Sequence, residues 1–166
     1  MQGKRLVAQR SITLDLYETD AGHAEIIARF LDPYHLITLE VTLDPATRTV
    51  LAAEAAYPNA PFHRVCPAVA GRAASLVGLT IGRGVMKEVA RRLGGPEGCV
   101  HLRELAMEVV NFAATSLVGA EHGFGIMSPE FNRRSEAERR TLSLAVLRNT
   151  CAAYRDPETE ATGSSS

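Results

Sequence analysis

The residues of this chain most able to do chemistry are the thiols of Cys66 and Cys99 and the imidazole of His101. Cys66 is followed at once by Pro67, a residue suited to the first position of a helix. Cys99 follows the run Gly94-Gly95-Pro96-Glu97-Gly98 and opens Val100-His101-Leu102, where an apolar period begins. Both cysteines are therefore expected at helix N-termini, where unpaired N–H groups and the positive end of the helix dipole favour a thiolate. The thiolate is the form that binds metals and attacks electrophiles. His101 stands two residues after Cys99, so both side chains can reach one ion at the start of a helix. The same residues also allow a metal-free site, with Cys66 or Cys99 as nucleophile and His101 or His63 as base. Cys151 lies in the apolar stretch of the last expected helix and should pack there as a small hydrophobe. His63 reads as a surface loop residue, and His23 and His122 flank turns and face solvent.

These groups need a scaffold, and the alternation of residue types supplies one. Ile12, Leu14 and Leu16 alternate with Thr13, Asp15 and Tyr17, the period of a half-buried strand. After the turn Asp20-Ala21-Gly22, residues 24–31 return as its partner. Ile37, Leu39, Val41 and Leu43 mark a third strand over 36–43. The turn Asp44-Pro45-Ala46-Thr47 leads to a fourth strand over 49–56. Past Pro58 the period becomes helical. Helices are expected over 66–77, over 85–93 (stopped by Gly94-Gly95-Pro96), over 102–117 and over 135–154. Leu102, Leu105, Ala106, Val109, Val110 and Ala113 form the apolar stripe of the third, and Leu142, Val146 and Leu147 the core face of the fourth. Strands first and helices after them predict an α+β fold, an antiparallel meander sheet covered on one face by C-terminal helices. Residues 1–155 are expected to form one domain and 156–166 a disordered tail.

Composition narrows the functions. An apolar fraction of 46% and a charged fraction of 22% are those of a globular chain. A net charge of -1, with Arg91-Arg92, Arg133-Arg134 and Arg139-Arg140 dispersed among acids, leaves no nucleic-acid footprint. No apolar run approaches the roughly 20 residues that span a bilayer. Met1-Gln2-Gly3-Lys4-Arg5 leads into alternating residues and not into an apolar signal core, so a cytoplasmic location is expected. Three widely spaced cysteines in such a compartment point to free thiols or metal ligands, not to disulfides. Phosphate-loop, dinucleotide-loop and serine-elbow motifs are absent.

Two family resemblances rest on these residues. The stretch from about Pro33 to Val118 resembles the bacterial family DUF2889. A histidine opens a strand, Cys66 follows, then Leu76-Val77-Gly78-Leu79-Thr80-Ile81-x-x-Gly84. Gly94-Gly95-x-x-Gly98-Cys99-x-His101-Leu102-x-Glu104-Leu105 closes the pattern. Val100 stands where that family has Thr or Ser, and its N-terminal Arg-Asp-Gly segment is not recognisable here. The order of a hairpin, a cysteine at a helix start and a histidine opening a long helix also resembles the U-type iron–sulfur cluster scaffolds. In that likeness Cys66 matches the middle cysteine, His101 the ligand histidine and His35 the aspartate near the first cysteine. Pro33 and Leu102 occupy the places of the first and last cysteines.

The scaffold likeness implies His35, Cys66 and His101 as ligands, and Cys99, without a counterpart in that pattern but two residues before His101, completes the expected metal set. Two thiolates and two imidazoles suit zinc or mononuclear iron, and an iron–sulfur cluster less well. The expected function is a metal-binding domain, either carrier or metal-dependent enzyme. The alternatives are a thiol enzyme and a non-catalytic partner of another protein subunit.

Overall fold

A computed structural model describes residues 3–120 and 125–155. The chain falls into two compact units, one up to Thr115 and one from Ser116 onward. His122 and the tail from residue 156 lie outside the described residues.

The first unit begins with four strands, β1 (Ser11–Glu18), β2 (Ala24–Leu31), β3 (Leu36–Asp44) and β4 (Thr49–Asn59). They pair antiparallel in the order β1-β2-β3-β4, the expected meander. Alternation decides which residues are buried, because successive side chains in a strand point to opposite faces. Ile26, Ala28 and Phe30 of β2 and Ile37, Leu39 and Leu43 of β3 are all 0% exposed. Their odd and even counterparts, such as Arg29 and Glu40, remain at the surface. β4 runs three residues beyond the expected end, and its pairing with β3 shifts register between Leu36 and Thr38 and again between Thr42 and Leu43. The start of its far edge is engaged by the segment 78–81. Gly78 N–H donates to the Val50 carbonyl (2.9 Å), Val50 N–H to Leu79 (2.8 Å) and Ile81 N–H to Arg48 (2.8 Å).

The helices of this unit follow the sheet. Residues Cys66–Leu76 form a 3-10 stretch, not the α-helix expected there. The run carries alanines with only Ala73 and Leu76 buried, and it lacks the broad apolar stripe that would hold a regular helix against a core. α1 spans Val85–Leu93 and α2 spans Val100–Ser116. Leu102, Leu105, Ala106, Val109, Val110 and Ala113 of α2 are buried, as their spacing predicts. α+β is thus the observed class, a meander followed by helices.

The second unit contains α3 (Pro129–Arg133) and α4 (Glu136–Leu147). Ser135 caps α4 in a reciprocal capping box with Glu138. Three expectations fail here. α4 stops at Leu147, and Leu142 (39% exposed) and Val146 (37%) are not its core face. The chain turns back at Ala152–Tyr154, where the Arg140 guanidinium donates to the carbonyls of Ala153 (2.9 Å) and Arg155 (3.1 Å). That return covers the helix face carrying Arg140 and Ser143, so Ser143 is the buried residue of α4. Cys151 lies beyond the helix end and is exposed, not packed. Among the described residues no helix is long and apolar enough to cross a membrane.

Candidate metal centre

The β2–β3 connection is built by Asp32. Its Oδ1 accepts the backbone N–H groups of Tyr34 (2.8 Å) and His35 (2.8 Å), and the His35 Nδ1 lies 3.0 Å from the same oxygen. An aspartate that ties the two following amides forms an Asx turn, and Pro33 presets the chain for it. The turn leaves His35 only 8% exposed at the start of β3.

His101 reaches this turn from the first turn of α2. Two backbone features aim it. Arg103 N–H donates to the Cys99 carbonyl (3.0 Å), which starts the helix. Gly98 permits the tight approach just before: a Cβ there would lie 2.1 Å from the Leu93 carbonyl oxygen. The ring centroids of His35 and His101 are then 4.1 Å apart, and Phe30 from β2 closes the floor at 5.1 Å from His101. Ligand atoms of Asp32, His35 and His101 all lie within 4.8 Å of one another.

Electrostatics shape the group. Burial pulls the His101 pKa down from its ordinary value. The neighbouring His35 and Arg10 push the same way, against Asp32 and Glu104. The shift favours the neutral ring, which keeps a lone pair for a metal. Burial works to raise the Asp32 carboxyl, but the hydrogen bonds from Tyr34 and His35 outweigh it and hold its pKa below the usual value. Arg10 stands at the rim. It donates to both carboxylate oxygens of Glu104 (3.1 and 3.3 Å), lies 4.8 Å over the Phe30 ring and approaches Asp32 Oδ2 at 4.0 Å.

Of the residues expected in a metal set, the structure brings His35 and His101 together and adds Asp32. Neither Cys66 nor Cys99 belongs to that group among the described residues. Both are half-buried free thiols at the starts of their segments, as their neighbours predict. They lie near a different residue, Tyr57 of β4. Its hydroxyl is buried without a well-formed hydrogen bond. Its pKa is pushed far up, by burial first, then by the adjacent Cys99 and by Cys66. Sequence reasoning passed over Asp32, although an Asp-Pro step at a strand end is a recognisable turn signal. Nothing in the sequence marks Tyr57 or Arg10.

A family model described as a protein of unknown function (DUF2889) matches residues 8–115. No curated protein and no solved structure matches the chain. The matched span contains Arg10, Asp32, His35, Tyr57, Cys66, Cys99 and His101.

Proposed function

The chain belongs to the DUF2889 family of proteins of unknown function, and we propose that it is a metal-binding domain whose ion sits between His35, His101 and Asp32. The observation that carries this reading is the convergence of three ligand-type side chains from the β2–β3 turn and the start of α2, with ligand atoms all within 4.8 Å. Two imidazoles and a carboxylate suit zinc in a site with an open position, or ferrous iron. Asp32 orients His35 through Oδ1, the arrangement by which a carboxylate fixes the tautomer of a ligand histidine. Its Oδ2 is the third donor. Three protein donors favour a metal-dependent enzyme over a closed structural site, and an ion held there would supply Lewis acidity or an activated water. Phe30 and the burial of His35 exclude bulk water from the inner side. An iron–sulfur cluster draws chiefly on thiolates, so it is the weaker form of the proposal.

Elemental analysis of protein purified anaerobically tests this reading. About one zinc or iron per chain is expected, lost in His35→Ala and His101→Ala and kept in Cys66→Ser and Cys99→Ser. Loss in the cysteine variants alone would move the site to the thiols.

The buried Tyr57 hydroxyl beside Cys99 favours a second reading, a thiol enzyme with Cys99 as nucleophile. Under it alkylation abolishes activity and chelators leave it intact.

A further inference from the structure

The geometry points to the free edge of β1 as the surface on which two copies of this chain pair to form one continuous sheet. β1 and β4 are the edges of the meander. The β4 edge is blunted: residues 78–81 bond to its start at Val50, its pairing with β3 shifts register twice, and it carries Pro58. β1 is different. Proteins blunt exposed strand edges with proline, lysine, bulges or covering loops. β1 contains neither proline nor lysine, and its pairing with β2 has no register shift. No backbone bond outside the β1–β2 ladder engages residues Ser11–Glu18 among the described residues. Its core-side residues Ile12, Leu14 and Leu16 are only half-buried, whereas their β2 neighbours Ile26, Ala28 and Phe30 are 0% exposed. The apolar row of the core thus runs out unfinished at this edge.

A second copy completes it in one register. Thr19 N–H donates to the His23 carbonyl (2.9 Å) at the hairpin end. Because bonded and unbonded pairs alternate in an antiparallel ladder, residues 12, 14, 16 and 18 turn their backbone groups away from β2. A two-fold pairing must therefore match even residues with even. Centred on Leu14, it sets Leu14 against its own copy and Ile12 against Leu16, which joins the two apolar rows. The same register sets Thr13 against Asp15 and Arg10, half-exposed (49%), against Glu18. Sliding by one step to pair Leu14 with Leu16 would place two Asp15 carboxylates face to face, a destabilising like-charge pair. The opposite step, pairing Leu14 with Ile12, would set Leu16 against Arg10 and break the apolar row, so charge and apolar pattern select one self-complementary register, the isologous kind that closes a dimer.

The test uses the full chain. Light scattering coupled to size exclusion should give about twice 17.9 kDa. Leu14→Pro removes an edge-facing N–H without touching the β1–β2 bonds, and should give a monomer with unchanged far-ultraviolet dichroism. Register is read by oxidative cross-linking. In L14C the new thiols face each other with Cα atoms about 5.5 Å apart and should link the dimer. In I12C they lie about 13 Å apart along the strands and should not. A monomeric parent, a dimer untouched by L14P, or efficient linkage of I12C in place of L14C would each overturn the proposal.

Discussion

The rings of His35 and His101 stand 4.1 Å apart, centroid to centroid, one carried by the turn between β2 and β3 and the other by the first turn of α2. Burial depresses the His101 pKa, and the neighbouring His35 adds to that effect. Asp32 anchors the other ring at His35 Nδ1, 3.0 Å away.

That anchoring sets the first prediction. Asp32→Asn keeps an acceptor for the backbone amides of Tyr34 and His35 but removes the carboxylate from His35 Nδ1. Stability should change little, while zinc or iron affinity falls on the order of 10- to 100-fold. Asp32→Ala should in addition cost about 1 kcal/mol or more, since two amides lose their partner. Isothermal titration with each metal, beside thermal melts of the metal-free protein, separates the two effects.

The second concerns pH. His101 has a folded-state pKa below its ordinary 6.5, so the unfolded chain binds the proton more tightly. Stability is then full above about pH 6.5 and declines as pH falls through the lower, folded value. Denaturant midpoints of the metal-free protein, measured from about pH 7.5 down to about pH 5, should fall towards acid. His101→Gln should flatten that slope. A slope unchanged by the substitution would assign the acid sensitivity to other groups.

Tyr57→Phe provides the third. A buried hydroxyl without a well-formed partner contributes nothing to offset its lost hydration, so its removal should leave stability unchanged or raise it by up to about 1 kcal/mol. A loss of about 1 kcal/mol or more in urea unfolding would instead establish a hydrogen bond from Tyr57 to the Cys99 thiol.

Gly98→Ala is the fourth. The added Cβ would meet the carbonyl oxygens of Leu93 at 2.1 Å and Gly94 at 2.6 Å, backbone atoms that cannot swing aside. The start of α2 must shift, and His101 with it. Destabilisation of about 2 kcal/mol or more, with metal binding weakened beyond what stability explains, should be seen in melts and metal titrations. A well-folded G98A chain with native affinity would show that the loop before α2 does not position His101.

Much of the fold was legible in residue order. β1 and β2 end where alternation and the turn Asp20-Ala21-Gly22 place them, and the α2 stripe from Leu102 to Ala113 is buried as spaced. Period-2 and period-3.6 patterns report burial directly, because each face of a strand or helix either meets the core or meets water. The reading failed where burial depended on chain return. Ser143 is buried and Leu142 is exposed because Ala152–Tyr154 folds back through Arg140, a contact no local pattern encodes.

The candidate site divides along the same line. Sequence alone determined that Cys66 and Cys99 stand at segment starts and that His101 opens a long helix, since prolines, glycines and apolar spacing are local signals. Only the tertiary structure decided the company each residue keeps. It set His101 beside His35 and Asp32, and it left the two thiols outside that group, near Tyr57. The physical reason is direction. Neighbours in sequence such as Cys99 and His101 leave the backbone at different angles as a helix begins. Which distant partner each one meets is settled by how α2 packs on the sheet.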